Sequence, residues 1–120
     1  MSSTSEWKYI GTQGVDSGGV IITDPTYISD WKEIGDALDF DVLQGRKETD
    51  EFSFNGFCSQ TLKGFGGELK NDIGATLGVV ARSGIGDGGY NVYIKTANLK
   101  GWGERVIEMK IVFIEPEEVE

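Results

Sequence analysis

The plainest pattern of hydrophobic and polar positions lies in the last third of the chain. Ile107, Met109, Ile111 and Phe113 alternate with Glu108 and Lys110, and Tyr90, Val92 and Ile94 alternate with Asn91, Tyr93 and Lys95. Successive side chains of an extended strand point to opposite faces, so a period of two predicts two half-buried strands. The polar, glycine-bearing stretch 98–103 between them predicts a hairpin turn. Pro116 ends the second strand, because proline has no N–H to give to a ladder.

The same reading carried upstream predicts more short strands. These are 7–10, 20–23 (stopped by Asp24-Pro25), 52–62 with a bulge at Gly56, 68–70, and 76–82 with Leu77, Val79 and Ala81 on one face. Trp31, Ile34 and Leu38 recur at helical spacing behind Ser29 and Asp30, either of which is a good cap, and they predict the one helix. The charged stretch 39–50 predicts a long loop holding one short strand over 40–43. Six to eight short strands at roughly 8–12-residue spacing with one short helix predict a mainly β protein, a small antiparallel sandwich or barrel. The organisation expected is a disordered lead over 1–5, a single β-rich domain over 6–114 and an acidic tail over 115–120.

Composition sharpens this picture. Glycine stands at 18 of 120 residues and proline at two. The glycines fall between the apolar runs, where their freedom at positive φ suits tight turns. The net charge of −9 disfavours phosphate backbones and anionic membranes as partners. A small anion is less disfavoured, since backbone N–H groups in glycine turns bind anions whatever the net charge. One cysteine, Cys58, allows no internal disulfide and fits a reducing, cytoplasmic setting. The absence of histidine removes the usual general base and the commonest metal ligand. No apolar run approaches the roughly 20 residues that span a bilayer.

Three stretches carry a resemblance. Residues 15–27, VDSGGVIITDPTY, resemble a VDSG…ITDPxY signature; residues 86–93, GDGGYNVY, resemble GDGxYxVY; and residues 108–113, EMKIVF, resemble the strand that follows it. In order and spacing they resemble a family of small proteins of bacteriophages and bacteria. The resemblance spans both ends of the chain and leaves out roughly residues 28–75. It brings no established activity and no catalytic residues. It implies an intracellular phage or prophage setting with the polar motifs on loops. Thr26 stands where the first motif has a Cys or another small residue, which argues against a thiol role there.

The chemistry-bearing residues are read against plainer roles. Asp24 before Pro25 suits a turn in which the carboxylate bonds its own backbone. Alternatively Asp16, Asp24 and Tyr27 form one rim of a ligand pocket. The run 83–89 is not a dinucleotide fingerprint, because a strand and not a helix follows it. It is either a hairpin loop or a loop that cradles a ligand through Gly86, Asp87 and Gly88. Tyr27, Trp31, Tyr93 and Trp102 offer faces for stacking on a planar ligand, and Tyr90 is read as a further ligand contact. Asp16, Asp24, Asp72 and Asp87 are hard oxygen ligands, though without EF-hand spacing. With no histidine in the chain to act as the usual base, Cys58, Ser17 and Ser83 read as structural.

The leading expectation is a non-enzymatic small-ligand-binding protein with no cofactor. Its pocket would lie between the Asp24–Tyr27 turn and the Asp87 loop, completed by homo-oligomerisation. In the implied setting, one concrete version is an anti-defence sponge that sequesters a host nucleotide signal. The alternatives are an acidic protein–protein interaction module that inhibits a host protein and a carboxylate-based, metal-dependent hydrolase.

Overall fold

A computed structural model describes residues 6–32 and 38–118. The chain divides into two compact units. One is built from the stretches that end at Asp16 and begin at Gly84, the other from Ser17–Ser83.

The first unit is a three-stranded antiparallel sheet. Strands β1 (Lys8–Val15), β5 (Gly88–Leu99) and β6 (Gly103–Val112) stand in the order β1-β5-β6. The twelve-residue β5 is central and pairs along most of its length with both neighbours. Each neighbour carries one extra residue. Tyr9 pairs with Tyr93 and Gly11 with Val92, so Ile10 bulges out of β1. Glu108 pairs with Lys95 and Val106 with Thr96, so Ile107 bulges out of β6. A one-residue insertion moves every later side chain to the other face of its own strand, and here it keeps the cross-strand pairs in phase with β5.

The second unit holds strands β2 (Gly19–Thr23), β3 (Gly66–Lys70) and β4 (Thr76–Arg82), ordered β2-β4-β3 and antiparallel. Its helices are α1 (Phe40–Leu43), α2 (Phe54–Lys63) and a 3-10 turn over Pro25–Asp30. Phe52, Phe57, Leu69, Leu77 and Val80 form the core, with Ile21, Trp31, Phe54 and Cys58 packed on it. The Trp31 and Phe52 rings meet edge to face at 5.1 Å. The described residues are thus mainly β, with six strands in two antiparallel sheets. Each sheet is open and keeps two edge strands, so neither closes into a barrel. Among the described residues no helix is long and apolar enough to cross a membrane.

Several local expectations fail for physical reasons. Residues 54–63 are helix, not strand. Alternation holds only across 52–56, whereas Phe54, Phe57, Cys58 and Thr61 recur at helical spacing. Ser53 caps the helix, its hydroxyl accepting from the Gly56 N–H at 3.1 Å. Residues 40–43 are a helical turn because the Asp39 carboxylate caps it through the Asp41 N–H. On β4, Val79 is half exposed while Leu77 and Val80 are buried. Leu69 pairs with Gly78 and Lys70 with Thr76, so Leu77 bulges and both residues reach the core across the phase change. The helix expected from Trp31 to Leu38 falls largely on 33–37, outside the described residues, as does the lead over 1–5. Trp31 itself is extended and ends the 3-10 turn.

The packing around α2 requires glycine at position 56. A Cβ on Gly56 would land on the Glu51 carbonyl oxygen, a backbone atom that cannot turn aside. Helix propensity alone favours Gly→Ala by roughly 1 kcal/mol. The clash wins, and Gly56→Ala is expected to destabilise the protein by about 2–3 kcal/mol, read from urea midpoints.

Candidate functional site

The residues singled out by sequence divide between the two units. Asp24 and Tyr27 stand in the second unit, and Asp16, Gly86, Asp87, Gly88, Tyr90 and Trp102 in the first. The Asp24 carboxylate serves its own turn. It accepts from the Thr26 N–H and the Thr26 hydroxyl, both at 2.9 Å, and caps the 3-10 helix. The Tyr27 N–H closes the same turn on the Asp24 carbonyl at 2.9 Å, and its ring is exposed.

In the first unit the β1 and β5 motifs meet. Val15 pairs with Gly88, so Asp16 and Asp87 flank the last rung of the ladder, and both are exposed. Gly84, Gly86 and Gly88 all take positive φ in this loop. The Tyr90 phenol donates to the Gly86 carbonyl at 2.6 Å, and its buried ring packs edge to face on Phe113 at 5.3 Å. Tyr90 therefore holds the loop shape from inside and offers no face for stacking. Trp102 occupies the β5–β6 turn and is 69% exposed, with the Arg105 guanidinium 5.8 Å from its ring centre.

A denser assembly lies on one face of the β1-β5-β6 sheet. Residues directly opposite each other across a ladder share a face. The pairs Thr12–Asn91, Tyr9–Tyr93, Tyr93–Lys110, Lys95–Glu108 and Ala97–Arg105 therefore put all of these side chains on one side. Trp7, just before β1, joins them. Lys110 Nζ lies 4.1 Å from its ring centre and Lys95 Nζ 4.7 Å. Lys110 also sits 5.7 Å from the Tyr93 ring.

The two phenols are pinned. Thr12 Oγ1 donates to Asn91 Oδ1 at 3.1 Å, so the 2.6 Å contact between Tyr9 and Thr12 has the Tyr9 hydroxyl as donor. Asn91 Nδ2 closes the chain onto the Tyr93 hydroxyl at 3.5 Å. The rings meet edge to face with centres 6.1 Å apart, and Tyr9 is 54% exposed.

Charge is distributed unevenly. Of the five Lys and Arg residues in this unit, Lys95, Arg105 and Lys110 share the face, against one carboxylate, Glu108. Glu108 lies 3.6 Å from Lys95, and among the described residues no carboxylate comes within 4 Å of Lys110. A chain of net charge −9 thus carries a local face of +2 over three aromatic rings. Sequence reading named Tyr93 as a stacking candidate and missed Trp7, Tyr9, Lys95 and Lys110. Their period-2 alternation was legible, but the bulges that bring them into phase were not.

Other chemistry is thinner. A groove of about 360 Å³ in the second unit is lined by Lys32, Glu51, Phe52, Lys70, Asp72 and neighbours. Its two cations are already engaged, Lys32 Nζ 2.8 Å from Glu51 and 4.0 Å from Asp72, and Lys70 Nζ 3.9 Å from Asp50. Among the described residues no three His, Cys, Asp or Glu side chains come together as a metal site would need. Burial pushes the Cys58 thiol up, which keeps it protonated and unreactive at neutral pH.

Three carboxylates are held below their ordinary range: Asp24 by the Thr26 N–H, Asp39 by a hydrogen bond from Lys47, and Glu51 by one from Lys32. A lowered folded value means stability that is present above the ordinary carboxylate range and lost as pH falls through it. Thermal stability should therefore drop as pH falls below about 4. Asp24→Asn, which keeps one cap oxygen, should flatten that drop when melting temperature is followed against pH. An unchanged profile would place the acid sensitivity elsewhere.

No family model, no curated protein and no solved structure matches the chain.

Proposed function

We propose that the protein is a non-enzymatic binder of a small, planar, anionic ligand of the nucleotide class, held on the Trp7–Tyr9–Tyr93 face of the β1-β5-β6 sheet. The observation that carries this reading is the convergence of two ammonium groups on one indole beside two pinned phenols, in a chain of net charge −9. A nucleobase stacks on exposed aromatic rings, and stacking is worth about 1–3 kcal/mol per base. A phosphate pairs with Lys110, whose ammonium has no competing carboxylate within 4 Å among the described residues. Rings already fixed by hydrogen bonds lose little freedom on binding, which favours affinity.

The absence of a histidine from the chain, with the Cys58 thiol pushed up by burial, supports binding without turnover. In the phage setting that the motif resemblance implies, such a protein acts by sequestering a nucleotide signal. The acidic motif loop with Asp16 and Asp87 then has the sign of charge that repels phosphate, and serves the fold through Tyr90.

The test is a thermal-shift series with mononucleotides, cyclic dinucleotides, ADP-ribose derivatives and inorganic phosphate. One nucleotide class is expected to raise the melting temperature well beyond phosphate alone. Tyr9→Ala and Lys110→Ala should each weaken that ligand by about tenfold or more with native circular dichroism. Asp24→Ala should leave binding unchanged. A flat series, or equal loss in all three variants, contradicts the reading.

A further inference from the structure

We infer that the protein forms a two-fold dimer in which the free edge of β6 pairs antiparallel with β6 of a second copy. β6 is ten residues long and lies at the sheet edge, and no strand among the described residues pairs with its outer side. Residues 103–110 are all exposed. They include three apolar side chains, Val106, Ile107 and Met109, that are 59%, 46% and 68% exposed. A long edge of this kind is a ready template for another strand unless charge or shape blunts it.

The sequence of β6 identifies the occupant. A two-fold axis perpendicular to a sheet pairs residues that share a face. The bulge at Ile107 places Arg105 and Glu108 on one face and Glu104, Val106 and Met109 on the other. An axis between Val106 and Ile107 then obeys the face rule along the whole strand. In that register Arg105 stands opposite Glu108 of the second copy, and Glu108 opposite its Arg105. Val106 meets Ile107 at the centre, and Met109 lies beside the aliphatic stem of Glu104. Opposite charges directly across a ladder stabilise it and like charges do the reverse.

Without the bulge, Arg105 and Glu108 would lie on opposite faces and this pairing would be lost. The bulge, commonly a device against edge pairing, here makes the strand self-complementary. The other edge, β1, has Lys8 as its single charged residue and offers no such match. The paired sheet would have six strands and carry both aromatic faces on one side.

The test is molar mass in solution by light scattering or sedimentation, over micromolar concentrations of the full chain. The wild type is expected to be a dimer. Arg105→Glu places four carboxylates across the axis and Glu108→Arg places four cations there, so each variant alone should raise the dissociation constant by about tenfold or more. An equimolar mixture of the two single variants restores both opposite-charge pairs and should recover the dimer, as should the double variant. A monomeric wild type, single variants that dimerise as tightly as wild type, or a mixture of natively folded variants that stays monomeric would each overturn the inference. Because no ligand is added, a negative result here leaves the nucleotide titrations to be judged by themselves.

Discussion

The register of β5 against its two neighbours is the constraint on which the first unit depends. Backbone hydrogen bonding fixes which residues lie across from one another, and the pleat then fixes which share a face. Ile10 in β1 and Ile107 in β6 each absorb one residue of phase. Without the first, Tyr9 and Thr12 would lie on opposite faces and the hydrogen-bond chain through Asn91 to Tyr93 would be broken. Without the second, Arg105 would leave the face that holds Lys95 and Lys110. Two insertions, each of one residue, assemble a basic aromatic surface from three separate stretches of chain.

This arrangement changes how the charge of the molecule is read. A net charge of −9 argues against polyanion partners when it is treated as uniform. Over distances near the Debye length, about 8–10 Å in ordinary salt, it is the local set of charges that a small ligand meets. On the Trp7 face that set is positive. Three carboxylates of the second unit are instead tied into its own turns and pairs: Asp24 on Thr26, Asp39 on Lys47, Glu51 on Lys32. Exposed pairs of this kind contribute little each to stability.

How much of this was legible in the sequence differs by element. The alternation in 90–95 and 107–111 gave the places of β5 and β6, but the half-burial it implied fails for β6, whose residues 103–110 are all exposed and whose phase is broken by the bulge at Ile107. Val20–Thr23 and 76–82 were equally readable, though the inward face of β4 was not, because the bulge at Leu77 puts two phases in one strand. Helix α2 was misread because the alternation over 52–56 runs into the helical spacing of Phe54, Phe57, Cys58 and Thr61. The deciding signal was the Ser53 cap, which stands inside the apparent strand. The motif loops were found, and Val15 pairing with Gly88 brings Asp16 and Asp87 to one end of a ladder. The Tyr90 hydroxyl turned inward to Gly86, however, which no pattern of hydrophobicity could reveal. Cross-strand partners such as Tyr9 and Tyr93 are 84 positions apart, and single-sequence periodicity carries no information about that pairing.

The most direct test of the central claim is residue-level mapping of ligand contact by NMR. Amide and indole shifts of the full-length protein would be followed while the best nucleotide from the thermal series is titrated in. The account predicts saturable shifts concentrated at the Trp7 indole N–H and at Tyr9, Tyr93, Lys95 and Lys110, with the 70–73 and 86–88 backbone undisturbed. Shifts centred instead on Lys32, Glu51 and Asp72, or on the 84–88 loop, would contradict it.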